Sequence, residues 1–238
     1  MVARPLIRLA LDLAFPPACP ACDGPVAADG RFCPGCALSL YELGPACPRC
    51  AEPASGPRAV PCARCTRRPP PFARTAAAYR YGGELAVALR RLKLENRPDV
   101  ARALAPLFQP SLTLAAARAD VAVPLPLSPR RLASRTFNQT QVLLDHAARG
   151  LPIRRDPALL RRVRHTPSQA GLGPAARWRN VEGAFAAPPR AERRLGGRRV
   201  LLVDDIMTTG ATLAAAASAA LAAGAAEVSC FVFARAEG

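Results

Sequence analysis

The chain has 238 residues, half of them apolar and 21% charged, the balance of a globular protein with a core of its own and not of a disordered one. It contains no run of 18 uncharged apolar residues, so no transmembrane helix is expected. The net charge of +16 is unevenly spread: residues 128–200 hold sixteen Arg against four acids, residues 1–71 eight Arg against five. A stretch that basic attracts phosphate, either of a small ligand or of nucleic acid. In a chain rich in Ala, Pro and Gly, 32 Arg among 33 basic residues is also what a GC-rich codon bias writes.

In chain order, Leu6, Leu9 and Leu13 share one helical face, so residues 1–15 read as a short amphipathic helix. Arg8 and Asp12 interrupt the apolar core that a signal peptide would need there, which makes a cytoplasmic location the expectation. Residues 16–68 are rich in Cys and Pro. Eight of the nine cysteines form four Cys-x-x-Cys pairs: Cys19/Cys22, Cys33/Cys36, Cys47/Cys50 and Cys62/Cys65, with gaps of 10, 10 and 11 residues between pairs. Two such knuckles supply four thiolates to one tetrahedral Zn²⁺, so eight suit two structural zinc sites. The even gaps favour two successive ribbons, Cys19/22/33/36 and Cys47/50/62/65, with a cross-braced pairing of alternate knuckles as the alternative. Disulfides would need an oxidising compartment, and iron–sulfur sites rarely repeat so evenly. Two loaded sites would take the module from +3 to about −1, which places any nucleic-acid contact on the rest of the chain and makes the module a scaffold or docking element.

A stiff linker, Arg67-Arg68-Pro69-Pro70-Pro71, precedes a second domain at 72–238. There a strand ends near Tyr79-Arg80-Tyr81, and helices are predicted over 84–94 and 101–108. A buried strand follows at 120–125, then a helix over 138–149, a strand over 158–164 and a short helix over 175–181. Lys93, the only lysine, lies on the first of these helices; an ammonium is a compact point charge unlike the guanidinium fork. Near the end, an apolar strand at 199–203, an Ala-rich helix at 210–223 and a strand at 227–234 form a βαβ unit, which predicts an α/β fold with a mainly parallel sheet. Cys230, on that last strand, reads as a small buried hydrophobe.

The segment Val200 to Thr212 carries the chemistry. An apolar strand ends in Asp204 and Asp205, where α/β proteins bind ligands, and a turn rich in Gly and hydroxyls opens a helix. Backbone N–H groups of Thr208, Thr209, Gly210, Ala211 and Thr212 can surround a phosphate at the helix N-terminus. The two acids suit polyol hydroxyls or a hydrated Mg²⁺. Neither a Walker loop nor a dinucleotide fingerprint matches.

This segment resembles the thirteen-residue phosphoribosyl-pyrophosphate (PRPP) motif of type I phosphoribosyltransferases. With the cysteine module, the whole chain resembles the ComF family. Val123-Pro124-Leu125-Pro126-Leu127 with Arg130 and Arg131 is similar to that family's loop near the pyrophosphate. Arg135-Thr136-Phe137-Asn138-Gln139 is similar to its Arg-Gly-Phe-Asn-Gln signature, with Thr136 in place of Gly. Gln169, Gly171, Leu172, Arg177, Asn180 and Gly183-Ala184-Phe185 resemble the segment before the PRPP strand, and Lys93 falls where family members tend to have Leu-Lys.

The resemblance implies a type I phosphoribosyltransferase-like domain that binds PRPP with Mg²⁺. Asp204 and Asp205 would hold the ribose hydroxyls and residues 208–212 the 5′-phosphate. Lys93, Arg130, Arg131, Arg135 and Arg177 are candidates for the pyrophosphate, with Arg177 on a segment that could close over it. It further implies a link to natural competence and uptake of single-stranded DNA, with DNA meeting the basic 128–200 region, where Phe137 and Trp178 could stack on bases, and with proteins of the uptake machinery as partners. A non-catalytic PRPP sensor or a single-stranded-DNA-binding accessory protein is the alternative.

Overall fold

The computed structural model describes residues 18–26, 31–54, 56, 59–167 and 171–237; the expected helix over 1–15 and Gln169 lie outside them. The centre is a five-stranded sheet in the order β1 (Thr75–Arg80), β7 (Glu227–Arg235), β6 (Arg199–Met207), β2 (Val121–Pro124), β3 (Arg154–Arg155). All four pairings are parallel, so the connections must cross over, and most carry helices.

Along β6 and β7 alternate side chains enter two different cores. Val200 and Leu202 with Val228, Cys230 and Val232 face the Ala-rich helix α9 (Ala211–Ala222). Leu201, Val203, Phe231 and Phe233 face helices α3 (Gly83–Leu94), α4 (Pro98–Ala116) and α6 (Gln139–Ala147). Cys230 is buried as expected.

Two elements run further than the sequence pattern suggested. Helix α4 continues eight residues past Phe108 although Pro106 and Pro110 lie inside it. Val100, Leu104, Phe108 and Leu112 are buried at helical spacing, while Pro110 is exposed; the continuous apolar face outweighs the lost hydrogen bonds. Strand β6 does not stop before its acids but passes through them to Met207, because β7 keeps pairing: Asp204 with Val232, Ile206 with Ala234, Met207 with Arg235. Conversely, the strand expected over 158–164 shrinks to β4 (Arg161–Arg162), which pairs antiparallel with β5 (Phe185–Ala186) in a small separate ribbon.

On its other side β6 has a partner only as far as Val203, whose carbonyl accepts from Leu125 N at 2.8 Å. From Leu125 the chain peels away to helix α5 (Pro129–Arg135), and residues 204–207 of β6 are left with an open edge. This is also where the strand order reverses, since β2 leads to β3 on one side and β6 lies on the other. Open α/β sheets bind ligands in the crevice at such a reversal.

Candidate functional site

The crevice is a cleft of about 470 Å³ lined by Lys93, the Leu125–Leu127 loop, Arg131, Arg135, Arg162, Arg177 and the Asp204–Leu213 stretch. Strand geometry divides the two acids. Asp205 shares a face with Leu201 and Val203 and so meets the helices of that side: Lys93 Nζ on α3 lies 3.5 Å from its Oδ2, and Gln139 Nε2 on α6 donates to the same oxygen at 3.2 Å. Asp204 faces the other way, toward α9 and Arg162, and its Oδ1 accepts from Asp205 N at 2.9 Å. Burial pushes the Asp204 carboxyl well above its ordinary range, and the neighbouring Asp205 adds to the effect. Burial acts on Asp205 most strongly, but the Lys93 ammonium and the hydrogen bonds it receives, from Gln139 and Ile206 N among others, together outweigh it and hold that carboxyl below its usual value.

Past Met207 the chain turns through Thr208, Thr209 and Gly210 into α9. Gly210 has φ +81°, a conformation that L side chains rarely adopt, so the turn favours glycine; a Cβ there would also displace the flexible end of Met207, whose Cε would stand 2.5 Å away. Thr209 Oγ1 accepts from Ala211 N at 3.4 Å. From Val200 to Thr212 there is no Lys or Arg, so this wall offers an anion only N–H and hydroxyl donors and the positive end of a twelve-residue helix.

The structure brings Lys93, Arg131, Arg135 and Arg177 to this cleft together with Asp204, Asp205 and residues 208–212. Arg130, exposed on α5, is not among the lining residues. Arg131 Nη2 donates to the Thr166 and Pro167 carbonyls at 3.2 and 3.0 Å. Arg135 Nη1 donates to Gln139 Oε1 at 3.3 Å, and burial lowers the guanidinium pKa, with Asp205 opposing. Arg177, on helix α7 (Pro174–Val181), donates from Nε to Leu172 O at 2.8 Å. Lining residues that the sequence did not single out as candidates include Tyr81 and the buried Arg162. The sixteen arginines of residues 128–200 hid the second, because exposure and not residue type sets it apart. Phe137 packs partly against the core, while Trp178 is 43% exposed.

Thr136, standing where the resembling signature has Gly, takes the left-handed conformation at φ +61°. A β-branched residue is strained there, by about 1–2 kcal/mol. Its Oγ1 donates to Asn96 Oδ1 at 2.8 Å, a bond that glycine could not make and that offsets part of the cost. Asn138 then caps α6, accepting from Thr140 N and Gln141 N, and its amide donates to Leu125 O at 2.9 Å, which ties the α5–α6 turn to the loop after β2.

The cysteines assemble as two successive clusters, Cys19/22/33/36 and Cys47/50/62/65, each with its four Sγ atoms within 4.8 Å of one another. Cys22–Cys33 and Cys50–Cys62 Sγ pairs are 3.7 Å apart, close to the ~3.8 Å edge of a tetrahedron with Zn–S bonds of about 2.3 Å. Burial pushes the Cys19 and Cys47 thiols up, but backbone N–H donors outweigh it and bring both down to about 7. The donor set and its spacing fit two Zn²⁺ ions. The cross-braced alternative does not match this grouping.

Fold and site together define a protein that joins a double zinc ribbon to a phosphoribosyltransferase-like α/β domain with a parallel central sheet. Family comparison agrees: the double zinc ribbon domain matches residues 10–66 and the phosphoribosyl transferase domain residues 141–237. The DNA utilization protein YhgH of Salmonella typhimurium is 33% identical over 185 residues, 76% of this chain and 75% of that protein. Its Escherichia coli counterpart is 32% identical over the same shares. Competence protein F of Haemophilus influenzae is 28% identical over 130 residues, 52% of this chain and 57% of that one. Among solved structures, the glutamine PRPP amidotransferase of B. subtilis overlaps 58% of this chain and 26% of its own at 22% identity and a TM-score of 0.34. The chain belongs to the ComF family. No helix among the described residues is long and apolar enough to cross a membrane.

Proposed function

We propose that the cleft binds PRPP with Mg²⁺ and that the protein transfers the phosphoribosyl group to an acceptor, releasing pyrophosphate. One observation carries this reading: β6 delivers two carboxylates to opposite faces of the sheet at an open crevice and runs directly into a base-free turn at a helix N-terminus. The carboxylates suit the vicinal hydroxyls of a ribose, and the turn suits its 5′-phosphate. Residues 16–68 then form the zinc module and 72–238 the transferase domain.

In this mechanism the bond between C1′ and the pyrophosphate oxygen breaks, the electron pair leaves with pyrophosphate, and a lone pair of the acceptor forms the new bond at C1′. Catalysis comes from positioning and charge stabilisation. Residues 208–212 fix the 5′ end, Asp204 and Asp205 the hydroxyls, and Arg131, Arg135 and Arg177 receive the charge that develops on the leaving group. Lys93 and Gln139 hold Asp205 ionised and in place. Hard, water-rich Mg²⁺ is commonly held by one or two carboxylates plus substrate phosphates, and Asp204 and Asp205 fit that role; the ion would neutralise charge on the leaving pyrophosphate.

The relatives' names, DNA utilization protein and competence protein, together with the basic 128–200 region and exposed Trp178, support a role in the handling of DNA taken up by the cell. Single-stranded DNA would be one partner and proteins of the uptake machinery others. A test titrates PRPP with Mg²⁺ into the full chain and into Asp204→Asn/Asp205→Asn. We expect binding to weaken by about a hundredfold as charge-assisted hydrogen bonds are lost, and pyrophosphate release with an acceptor to vanish. PRPP binding unchanged in the double variant would overturn the reading. In the same preparation, binding of an oligo-dT that ignores salt would remove the DNA partner.

A further inference from the structure

Arg162 lies outside every motif noted in the sequence, yet it is the most unusual charge in the cleft. Its side chain is 8% exposed, Phe185 covers one face of the guanidinium at 5.3 Å, and Nη2 donates to Thr166 Oγ1. Its Nε is the one buried side-chain nitrogen or oxygen among the described residues with no hydrogen-bond partner. Burial lowers its pKa to about 10, so it remains charged at neutral pH. It makes no ion pair among the described residues; Asp204 is the carboxylate whose charge reaches it. A buried cation that keeps an empty donor is costly and calls for a ligand to complete it.

The distribution of charge in the cleft says which ligand. The Val200–Thr212 wall carries no basic residue, whereas Arg131, Arg135, Arg162 and Arg177 all line the rest, and Lys93 is already engaged by Asp205. One end of the cleft therefore suits a monophosphate held by neutral donors. The other end suits a second oxyanion of higher charge. Thr166 accepts from Arg162 through its hydroxyl and from Arg131 through its carbonyl, so the two guanidinia are held side by side on one short segment.

We propose that Arg162 is a buried contact for the pyrophosphate group, donating its Nε–H to a non-bridging oxygen of the leaving group. This assignment rests on the PRPP reading of the cleft. Phe185 and Thr166 hold the guanidinium at the cleft before the ligand arrives; Nε itself is closed off in the empty cleft, so a small shift uncovers it as the ligand seats. Arg162 thereby discriminates pyrophosphate-bearing ligands from simple pentose monophosphates, which the base-free loop alone would hold.

Calorimetric titrations of the full chain with Mg²⁺-pyrophosphate, PRPP and ribose 5-phosphate test this in Arg162→Gln and Arg162→Lys, of which the lysine keeps the charge but loses the Nε donor. Both variants should weaken pyrophosphate and PRPP by about ten- to hundredfold while ribose 5-phosphate stays within about twofold. Unchanged pyrophosphate affinity in either folded variant, or an equal fall for ribose 5-phosphate, would overturn the proposal. If neither variant folds, ¹⁵N-arginine labelling of the unaltered chain replaces them. Pyrophosphate should shift one buried Nε–H resonance and slow its exchange, ribose 5-phosphate should not, and no response to pyrophosphate refutes the assignment. Pyrophosphate binding through Arg162 without PRPP binding would sink the broader function instead; PRPP binding indifferent to Arg162 would sink this assignment alone.

Discussion

The two zinc clusters have the same ligands and nearly the same spacing, but they are attached to opposite faces of the sheet. The first cluster joins the core of α3, α4 and α6: Cys19, Ala21 and Phe32 pack with Leu85, Leu89 and Leu104. Its polar ties are peripheral, with Arg91 reaching Asp23 and the Pro20 carbonyl, and Arg97 reaching Asp23 at 3.3 Å. The second cluster joins the α9 core, where Cys47, Cys50 and Cys65 share a cluster with Phe72, Met207 and Ala211.

A fully buried arginine completes the second attachment. Arg235 donates from Nε to Cys50 O and from Nη1 to Met207 O, both at 3.1 Å, and pairs with Glu52. Met207 is the residue whose Cε closes on Gly210. Thr75 at the head of β1 also bonds to the Pro48 and Arg49 carbonyls, at 3.0 and 2.7 Å. So the second zinc loop lies two contacts away from the turn at 208–210, and the first lies on the opposite face of the sheet, against the helices that carry Lys93 and Gln139. Identical metal chemistry can serve as a fold's outer brace or as part of a site's foundation, and the surroundings decide which.

Cys65→Ser should break this asymmetry most strongly. A structural zinc site is worth about 10–16 kcal/mol in binding free energy, and losing even a fraction of that lowers the melting temperature of a domain this size by about 10 °C or more. Metal analysis should show one zinc equivalent gone and PRPP affinity reduced. Cys36→Ser should cost one equivalent too, but with a clearly smaller thermal shift and PRPP binding retained. Equal effects on melting and on PRPP binding from both substitutions would erase the distinction.

Arg235→Met should rank next, costing about 2–4 kcal/mol in denaturant unfolding because Glu52 and the Cys50, Met207 and Ala236 carbonyls lose a charged donor. Zinc content should stay at two, which separates the arginine's role from the metal's. A loss below 1 kcal/mol would mean the link is dispensable. The smallest effect is expected for Asp23→Ala: the carboxylate is 50% exposed, and such pairs contribute about 0–1 kcal/mol, an amount that salt titration of stability should screen away.

Local features were legible in the sequence. Eight cysteines at near-regular spacing over residues 19–65, and an apolar strand, two acids and a Gly-containing turn within Val200–Thr212, declare themselves locally, and the structure assembles them as two clusters and one cleft. What stayed hidden depends on partners far along the chain. The run of β6 through Asp204 and Asp205 is decided by β7, and the length of α4 by a buried face that its prolines disguise. Arg235 and Cys50 are 185 positions apart. Arg162 looks like any of its fifteen arginine neighbours until Phe185 and Thr166 close around it. Spacing groups the cysteines into two clusters, but it does not say which of them packs beside Met207 and Ala211.

The position of β7 bears on how the chain assembles as it leaves the ribosome. It is the last described element to be synthesised, yet it lies between β1 and β6 and pairs with both. Both thiolate clusters emerge early and can capture metal within minutes of chain growth at most, since synthesis runs at about 5–20 residues per second. Edge strand β1 and the open flank of β6 must then wait, unpaired along those edges, until the final segment slides between them and Arg235 reaches back to Cys50. The central pairings cannot form before β7 is made, so a nascent chain stalled short of residue 227 would lack the strand that joins β1 to β6.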